Sequence, residues 1–125
     1  MTSYAVLYND GNLKASDFKF ECQKDGWVPI LVLRDKDDKI MVPMFRNVEV
    51  AHKFMKRNVS KDIVSGLVTL VEEDVDNMKE KGWDIEYLSF PRRFTNHPDY
   101  TIDLEIIEID DLGFNAYKNI NHYEG

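Results

Sequence analysis

Apolar and polar residues alternate along the chain in short blocks, and each block predicts one element of regular structure. The apolar run Ser3–Tyr8 ends at a turn signal and predicts a first strand. Two further apolar runs, 28–33 and 40–45, flank the charged segment 35–39 and predict a β-hairpin. Because Pro43 has no N–H to donate, the returning strand should lie at an edge of the sheet or contain a bulge.

Two segments have the pattern of helices. The first helix is predicted over Val48–Arg57 with Asn47 as its N-cap, because its apolar residues recur at the three-to-four spacing of one buried face. The second is predicted from residue 72 or 73 to Lys81, since acids fill its first turns and Gly82 follows at the position that closes a helix.

The remaining blocks predict strands. Residues 66–71 are apolar on both faces, which indicates the middle of the sheet, and residues 83–90 form the next strand. In Thr101–Ile109 the apolar positions change parity. A β-bulge near Ile106 and Ile107, or burial of both faces at that end, would explain the change.

These elements predict one α+β domain over residues 1–125, with a mainly antiparallel sheet of five to seven strands and both helices packed on one face. For segment 16–23 the sequence allows two predictions: a strand, which the alternation of its residues favours, or a short helix capped by Ser16. Residues 113–125 are predicted to form either a short helix or a loosely docked tail.

Composition is that of a globular protein. With 125 residues, 43% of them hydrophobic and 31% charged, the chain is long enough to bury a core without disulfides or metal. No apolar run approaches the roughly 20 residues that cross a bilayer, and Met1–Asp10 does not resemble a signal peptide. We therefore expect a cytoplasmic protein without a membrane interaction, and the lone Cys22 fits a reducing compartment.

The formal charge of −7 is unevenly distributed. Residues 46–61 contain five basic residues and one acid, whereas residues 99–112 contain six acids and neither Lys nor Arg. The first helix is therefore locally basic on an acidic body. Such a body repels nucleic acid at long range and favours basic partners.

Catalytic and metal-binding patterns are missing from the sequence. His52, His97 and His122 are far apart and have no nearby Cys, and the acidic clusters lack the glycine and distal glutamate of an EF-hand. Cys22 lies in an apolar pattern typical of a buried thiol, and the glycines form no phosphate-binding loop. We expect a protein that is not an enzyme and binds neither cofactor nor metal.

Two features remain as candidate binding sites. One is the outward stripe of the first helix, with Arg46 and Lys61 nearby, and the other is the loop 90–100, where two arginines lie among aromatic residues. The stripe is also what an ordinary solvated helix face looks like, and in the loop Phe90 and Phe94 could fill the core while the arginines stay solvated. The candidate binding residues are His52, Lys53, Lys56, Arg57, Arg92, Arg93, Phe94, His97 and Tyr100.

The favoured hypothesis is a small acidic, non-catalytic protein that binds another protein as an adaptor or regulatory module. A competing hypothesis is a nucleic-acid-binding protein that uses helix 48–57. A third is an acidic inhibitor or immunity-type protein that imitates a polyanion with the acids of residues 103–111. A homodimer formed through an edge strand is compatible with each of these functions.

Overall fold

A computed structural model describes residues 2–8, 27–60, 65–108 and 121–122. The α+β class and the mainly antiparallel sheet are confirmed, while segment 16–23, Cys22 and most of residues 113–125 lie outside the described residues. The elements are β1 (Ser3–Tyr8), β2 (Trp27–Arg34), β3 (Ile40–Phe45), α1 (Val48–Asn58), β4 (Ser65–Leu70), α2 (Glu72–Glu80), β5 (Asp84–Tyr87), β6 (Thr101–Glu108) and β7 (Asn121–His122).

Local signals account for the starts and turns of several elements. The Asn47 side chain accepts hydrogen bonds from the backbone N–H groups of Glu49 (2.8 Å) and Val50 (3.2 Å), which confirms it as the N-cap of α1. In the β2–β3 hairpin, Asp35 Oδ1 accepts from the backbone N–H groups of Asp37 (2.8 Å) and Lys39 (3.0 Å). The side chain thus supplies the hydrogen bonds that a short charged turn needs.

The strands join in the order β5-β3-β2-β1-β4-β7, and β6 pairs with β2. The β3–β5 pair is parallel and the other described pairs are antiparallel. Of the two alternatives for Pro43, the edge position is wrong, because β5 lies alongside β3 with Glu86 opposite Pro43. The bulge stays a prediction. The expectation that β4 forms the middle of the sheet is also wrong. In the described part of the chain, β4 pairs with β1 on one side and only with the two-residue strand β7 on the other.

Strand β6 runs along β2 in one unbroken register. The pairing extends from Trp27 opposite Glu108 to Arg34 opposite Thr101, with one residue facing one residue throughout. The predicted bulge near residues 106 and 107 is therefore wrong, because a bulge would place two residues of one strand opposite one of the other.

The two helices pack on opposite faces of the sheet. Phe54 of α1 belongs to the apolar cluster that contains Val6 and Leu31, whereas Val75 of α2 belongs to the cluster that contains Ala5. Successive strand residues point to opposite faces, so these clusters form two separate core layers. The predicted placement of both helices on one face is wrong, since strands that are apolar on both sides need cover on both sides.

Candidate functional site

The outward face of α1 is basic and exposed. The apolar residues of the helix, Phe54 among them, are buried against the sheet. Lys53, Lys56 and Arg57 are exposed on the other side, as their spacing predicts, whereas His52 is only half-buried and has a contact of its own. The basic stripe thus consists of the two lysines and the arginine.

An aromatic cluster attaches the loop 90–100 to α1. The Phe54 ring lies 5.0 Å from that of Phe45 and 6.1 Å from that of Phe94, which is 1% exposed. The half-buried rings of His97 and Tyr100 lie 5.8 and 5.5 Å from Phe94. Because its ring is buried, Phe94 supports the loop from within, and its role in binding stays a prediction.

Asn58, the last residue of α1, links the helix to this loop. Its Nδ2 donates to the carbonyl oxygens of Phe54 (2.9 Å) and Arg92 (2.8 Å), and its Oδ1 accepts from the backbone N–H of Phe94 (2.6 Å). The side chain is buried with 7% exposure. Both ends of the amide are therefore satisfied, which holds the loop backbone at a defined position.

Two further contacts tighten the same junction. Arg57 Nη1 donates to the carbonyl oxygen of Pro91 at 2.8 Å, and the Thr95 hydroxyl donates to the carbonyl oxygen of Arg57 at 3.3 Å. Within the loop, the backbone N–H of Arg92 donates to the carbonyl oxygen of Phe90 at 2.8 Å, which closes a three-residue turn around the proline. These contacts bring the two predicted features together.

The contacts of Arg57 and Asn58 place the loop beside the end of α1, and we call the exposed residues of both the cationic rim. Arg92 places its guanidinium 5.0 Å from the centre of the Phe94 ring and remains exposed, as does Arg93. Phe90 precedes them and is 71% exposed, so it does not fill the core as the sequence allowed. The cationic rim consists of Lys53, Lys56, Arg57, Phe90, Arg92 and Arg93.

Other cations near α1 do not belong to the rim. Arg46 lies over the ring of Tyr87, 4.2 Å from its centre, and Lys61 is outside the described residues. The hydroxyl of Tyr87 is itself hydrogen-bonded to Ser3 at 2.8 Å. Arg46 is therefore engaged in a contact between the end of β3 and β5.

The acidic strand β6 is partly neutralised. Arg34 on β2 forms ion pairs with Asp103 and Glu105. The hydrogen bond from Arg34 lowers the pKa of Asp103 below its ordinary value. Because Arg34 lies two residues after Val32 on the strand, the acidic pair is on the side that packs against α2, away from the rim.

Two further features with ionisable side chains lie outside the rim. Asp74 in α2 is buried, accepts from the backbone N–H of Val71 (3.1 Å) through Oδ2, and burial raises its pKa above the ordinary value. A depression of about 330 Å³ lies at the end of α2, lined by Asp38, Ile40, Lys81, Gly82, Trp83 and Asp84.

Neither the comparisons with known proteins nor the described residues point to a particular family or metal site. Searches of protein-family models, curated proteins and solved structures gave no match to this chain. Within the described ranges, no three His, Cys, Asp or Glu side chains are grouped as metal ligands would be. In the same ranges, neither helix has the length and apolar character needed to cross a bilayer.

Sequence reasoning missed two important residues of this region. Asn58 follows the basic stripe directly, but its position in the sequence contains no signal for hydrogen bonds to a loop far along the chain. Phe90 lies in the loop predicted to bind a partner but was not among the candidate binding residues, because the sequence left open whether its ring fills the core. The following Pro91 was the available signal, because proline ends pairing and often turns the chain outward.

Proposed function

We propose that this chain is a non-catalytic protein-binding module and that the cationic rim is its contact surface. The observation that carries the proposal is the junction at Asn58, whose hydrogen bonds unite α1 and the loop 90–100. Two groups of cations that are separate in the sequence thereby become one surface with an exposed aromatic ring. We also propose, from the sequence, that the protein is cytoplasmic.

The residue types of the rim support this function. Arginine and aromatic side chains are enriched at the energetically important positions of protein interfaces. Arg92 and Arg93 are exposed beside Phe90, and the loop backbone is held by α1. A surface that is already ordered loses little conformational entropy when a partner binds.

Affinity purification tests the proposal directly. The tagged protein is used to capture partners from its host, and the captured set is compared with that of the Arg92→Ala/Arg93→Ala double variant. The matched control is Lys39→Ala/Lys79→Ala, which changes the net charge equally at exposed lysines outside the rim. We expect partners to be lost from the arginine variant only, and retention of every partner by that variant would refute the proposal.

Nucleic-acid binding is a second candidate, favoured by one observation. An exposed ring among cations is the combination that single-stranded nucleic-acid platforms use, with stacking on the ring and neutralised phosphates around it. The charge of −7 on the whole chain opposes this function at long range. Retention on a single-stranded DNA column at low salt that weakens as salt rises would support it over the protein-binding proposal.

Polyanion mimicry and dimerisation through a strand edge draw less support. A polyanion mimic would use the β6 acids, but Asp103 and Glu105 are already paired with Arg34. A dimer through β5 would bring Asp84 and Glu86 of two copies together, and charges at a strand edge oppose such pairing. Analytical ultracentrifugation that found a dimer abolished by substitutions in β5 would restore the dimer hypothesis.

A further inference from the structure

We propose further that the cationic rim receives an acidic polypeptide segment that carries an apolar side chain, which packs on Phe90. This inference rests on the proposed function and names the class of partner. Its support comes from the charge, the exposed ring and the ordered backbone of the same surface.

Charge complementarity indicates that the partner segment is acidic. Lys53, Lys56 and Arg93 have no acidic partner within the part of the chain that the structure describes. Glu49, in the first turn of α1, lies one turn before Lys53, but the ion pairs of the described residues do not include this pair. Carboxylates of a partner are therefore the groups that this surface lacks, and an arginine fork can bind a carboxylate with two hydrogen bonds.

The exposed ring of Phe90 indicates that the partner segment also carries an apolar side chain. Phe90 is 71% exposed and is the most exposed large hydrophobic side chain among the described residues. The turn closed between Phe90 and Arg92, together with the hydrogen bond from Arg57 to Pro91, fixes the backbone on which the ring stands. An apolar side chain of the partner would remove the ring from water, so a purely acidic segment would leave part of the surface unused.

An acidic polypeptide fits this protein better than a nucleic acid does. Phosphates are densely and regularly spaced along a nucleic acid, so the body with a net charge of −7 repels such a strand beyond the rim. A short acidic segment can place its carboxylates on the rim alone. Phe90 then contacts an apolar side chain rather than a base.

The test measures binding of short labelled probes by fluorescence anisotropy. The first probe is a peptide of Asp and Glu with a central Phe, and the second has Ser in place of that Phe. The third has Lys in place of the acids, and the fourth is a single-stranded oligodeoxythymidine. We expect the first peptide to bind about tenfold more tightly than the second, and the Lys peptide and the oligonucleotide to bind more weakly than either.

Variants separate the contribution of the Phe90 ring to binding from that of the two arginines. Phe90→Ser should weaken binding of the Phe peptide about tenfold and leave binding of the Ser peptide nearly unchanged, because the ring acts only through the apolar contact. Arg92→Ala/Arg93→Ala should weaken both acidic peptides, and Lys39→Ala/Lys79→Ala should weaken neither. Circular dichroism and thermal melting of each variant ensure that lost binding is not lost folding.

The outcomes separate this inference from the function on which it rests. If native partners depend on Arg92 and Arg93 but the two acidic peptides bind equally, the inference is wrong and the proposed function stands. The inference is also wrong if the oligonucleotide binds most tightly and depends on Phe90. If no native partner depends on the arginines and no acidic peptide binds, both are wrong.

Discussion

Both helices end with backbone hydrogen bonds, but the end of helix α1 is also held by a side chain that reaches a loop far along the chain. At the end of α2, the N–H of Gly82 donates to the carbonyl oxygen of Lys79 (3.0 Å) and the N–H of Trp83 donates to that of Met78 (3.1 Å). Gly82, at φ 94°, closes the helix in the left-handed conformation that glycine favours. At the end of α1, the N–H of Val59 donates to the carbonyl oxygen of Met55 (2.9 Å), and the Asn58 side chain bonds in addition to the backbone of residues 92 and 94.

The difference teaches where a surface for recognition is assembled. A helix end that satisfies itself needs nothing from the rest of the chain, so it presents only its own residues. At the end of α1 the Asn58 side chain binds a second segment, and that segment brings Phe90, Arg92 and Arg93 beside the basic stripe. A buried side-chain amide of one helix thus assembles the cationic rim.

The largest expected loss of stability distinguishes the two phenylalanines of the loop. Phe94→Ala should lower the free energy of unfolding by about 4 kcal/mol, because it removes a buried ring from the cluster with Phe54 and Tyr100. Phe90→Ala should change it by less than about 0.5 kcal/mol, since that ring is exposed. Urea unfolding of both variants measures the difference, and equal losses would contradict the anchoring role of Phe94.

Next in size is the effect of breaking the side-chain closure of α1. Asn58→Asp should cost about 3 kcal/mol, because a carboxylate cannot donate to the carbonyl oxygens of Phe54 and Arg92 and is buried among them. Asn58→Ala should cost about 2 kcal/mol.

The asparagine of α2 provides the matched control for Asn58. Asn77 is only half-buried, and Asn77→Ala should change the free energy of unfolding by less than about 0.5 kcal/mol. Denaturant unfolding gives all three values, and hydrogen exchange reports on the amide of Phe94. Faster exchange there in Asn58→Ala is expected, and an unchanged rate would argue against the junction.

A smaller effect is expected at the end of α2. Gly82→Ala should cost about 1 kcal/mol, because an alanine is strained at φ 94°. A Cβ at this position would meet no atom within 4 Å, so the loss is due to the backbone conformation alone. Gly82→Asn should cost less, since asparagine tolerates positive φ better. A larger loss for Asn than for Ala in thermal melting would contradict this account.

The ion pairs between β2 and β6 should contribute stability at neutral pH. Because Arg34 lowers the folded-state pKa of Asp103, the stabilisation is present above the unfolded-state pKa and is lost as the pH falls through the folded-state value. Asp103→Asn should therefore flatten the loss of stability on the acidic side. Unfolding midpoints followed across acidic pH test this, and an unchanged slope would contradict the pairing.

Asp74 at the start of α2 should give a pH dependence of stability opposite in sign to that of Asp103. Burial raises its folded-state pKa, so its contribution is most favourable below the unfolded-state pKa and is lost as the pH rises through the folded-state value. The Asp74→Asn variant should lose this component of the pH dependence. A matching measurement on Asn47→Ala, which removes the uncharged cap of α1, should show no altered pH slope.

Much of the local structure could be predicted from the sequence. Asn47 and Gly82 were identified as the start of α1 and the end of α2, and the hairpin of β2 and β3 was recognised from its apolar runs. These features depend on hydrogen bonds and backbone conformations within a few residues. The predicted basic stripe of α1 follows from the same local periodicity.

The placement of these elements could not be predicted in the same way. The apolar pattern showed that β4 is covered on both faces, but not that α1 covers one and α2 the other. The pairing of Arg34 with Asp103 and Glu105 depends on the β2–β6 register, which joins segments far apart in the chain. Burial of Phe94 and exposure of Phe90 likewise depend on which ring reaches Phe54.

The sequence by itself determined the helices, most of the strands and the two groups of cations, because periodicity, capping residues and turn residues act over short distances. The tertiary structure alone decided that the cations form one surface. The reason is physical: at the end of α1 the buried amide of Asn58 needs hydrogen-bond partners beyond its own helix. The Asn58 amide finds its partners in the loop 90–100, and that contact brings the arginines beside the helix.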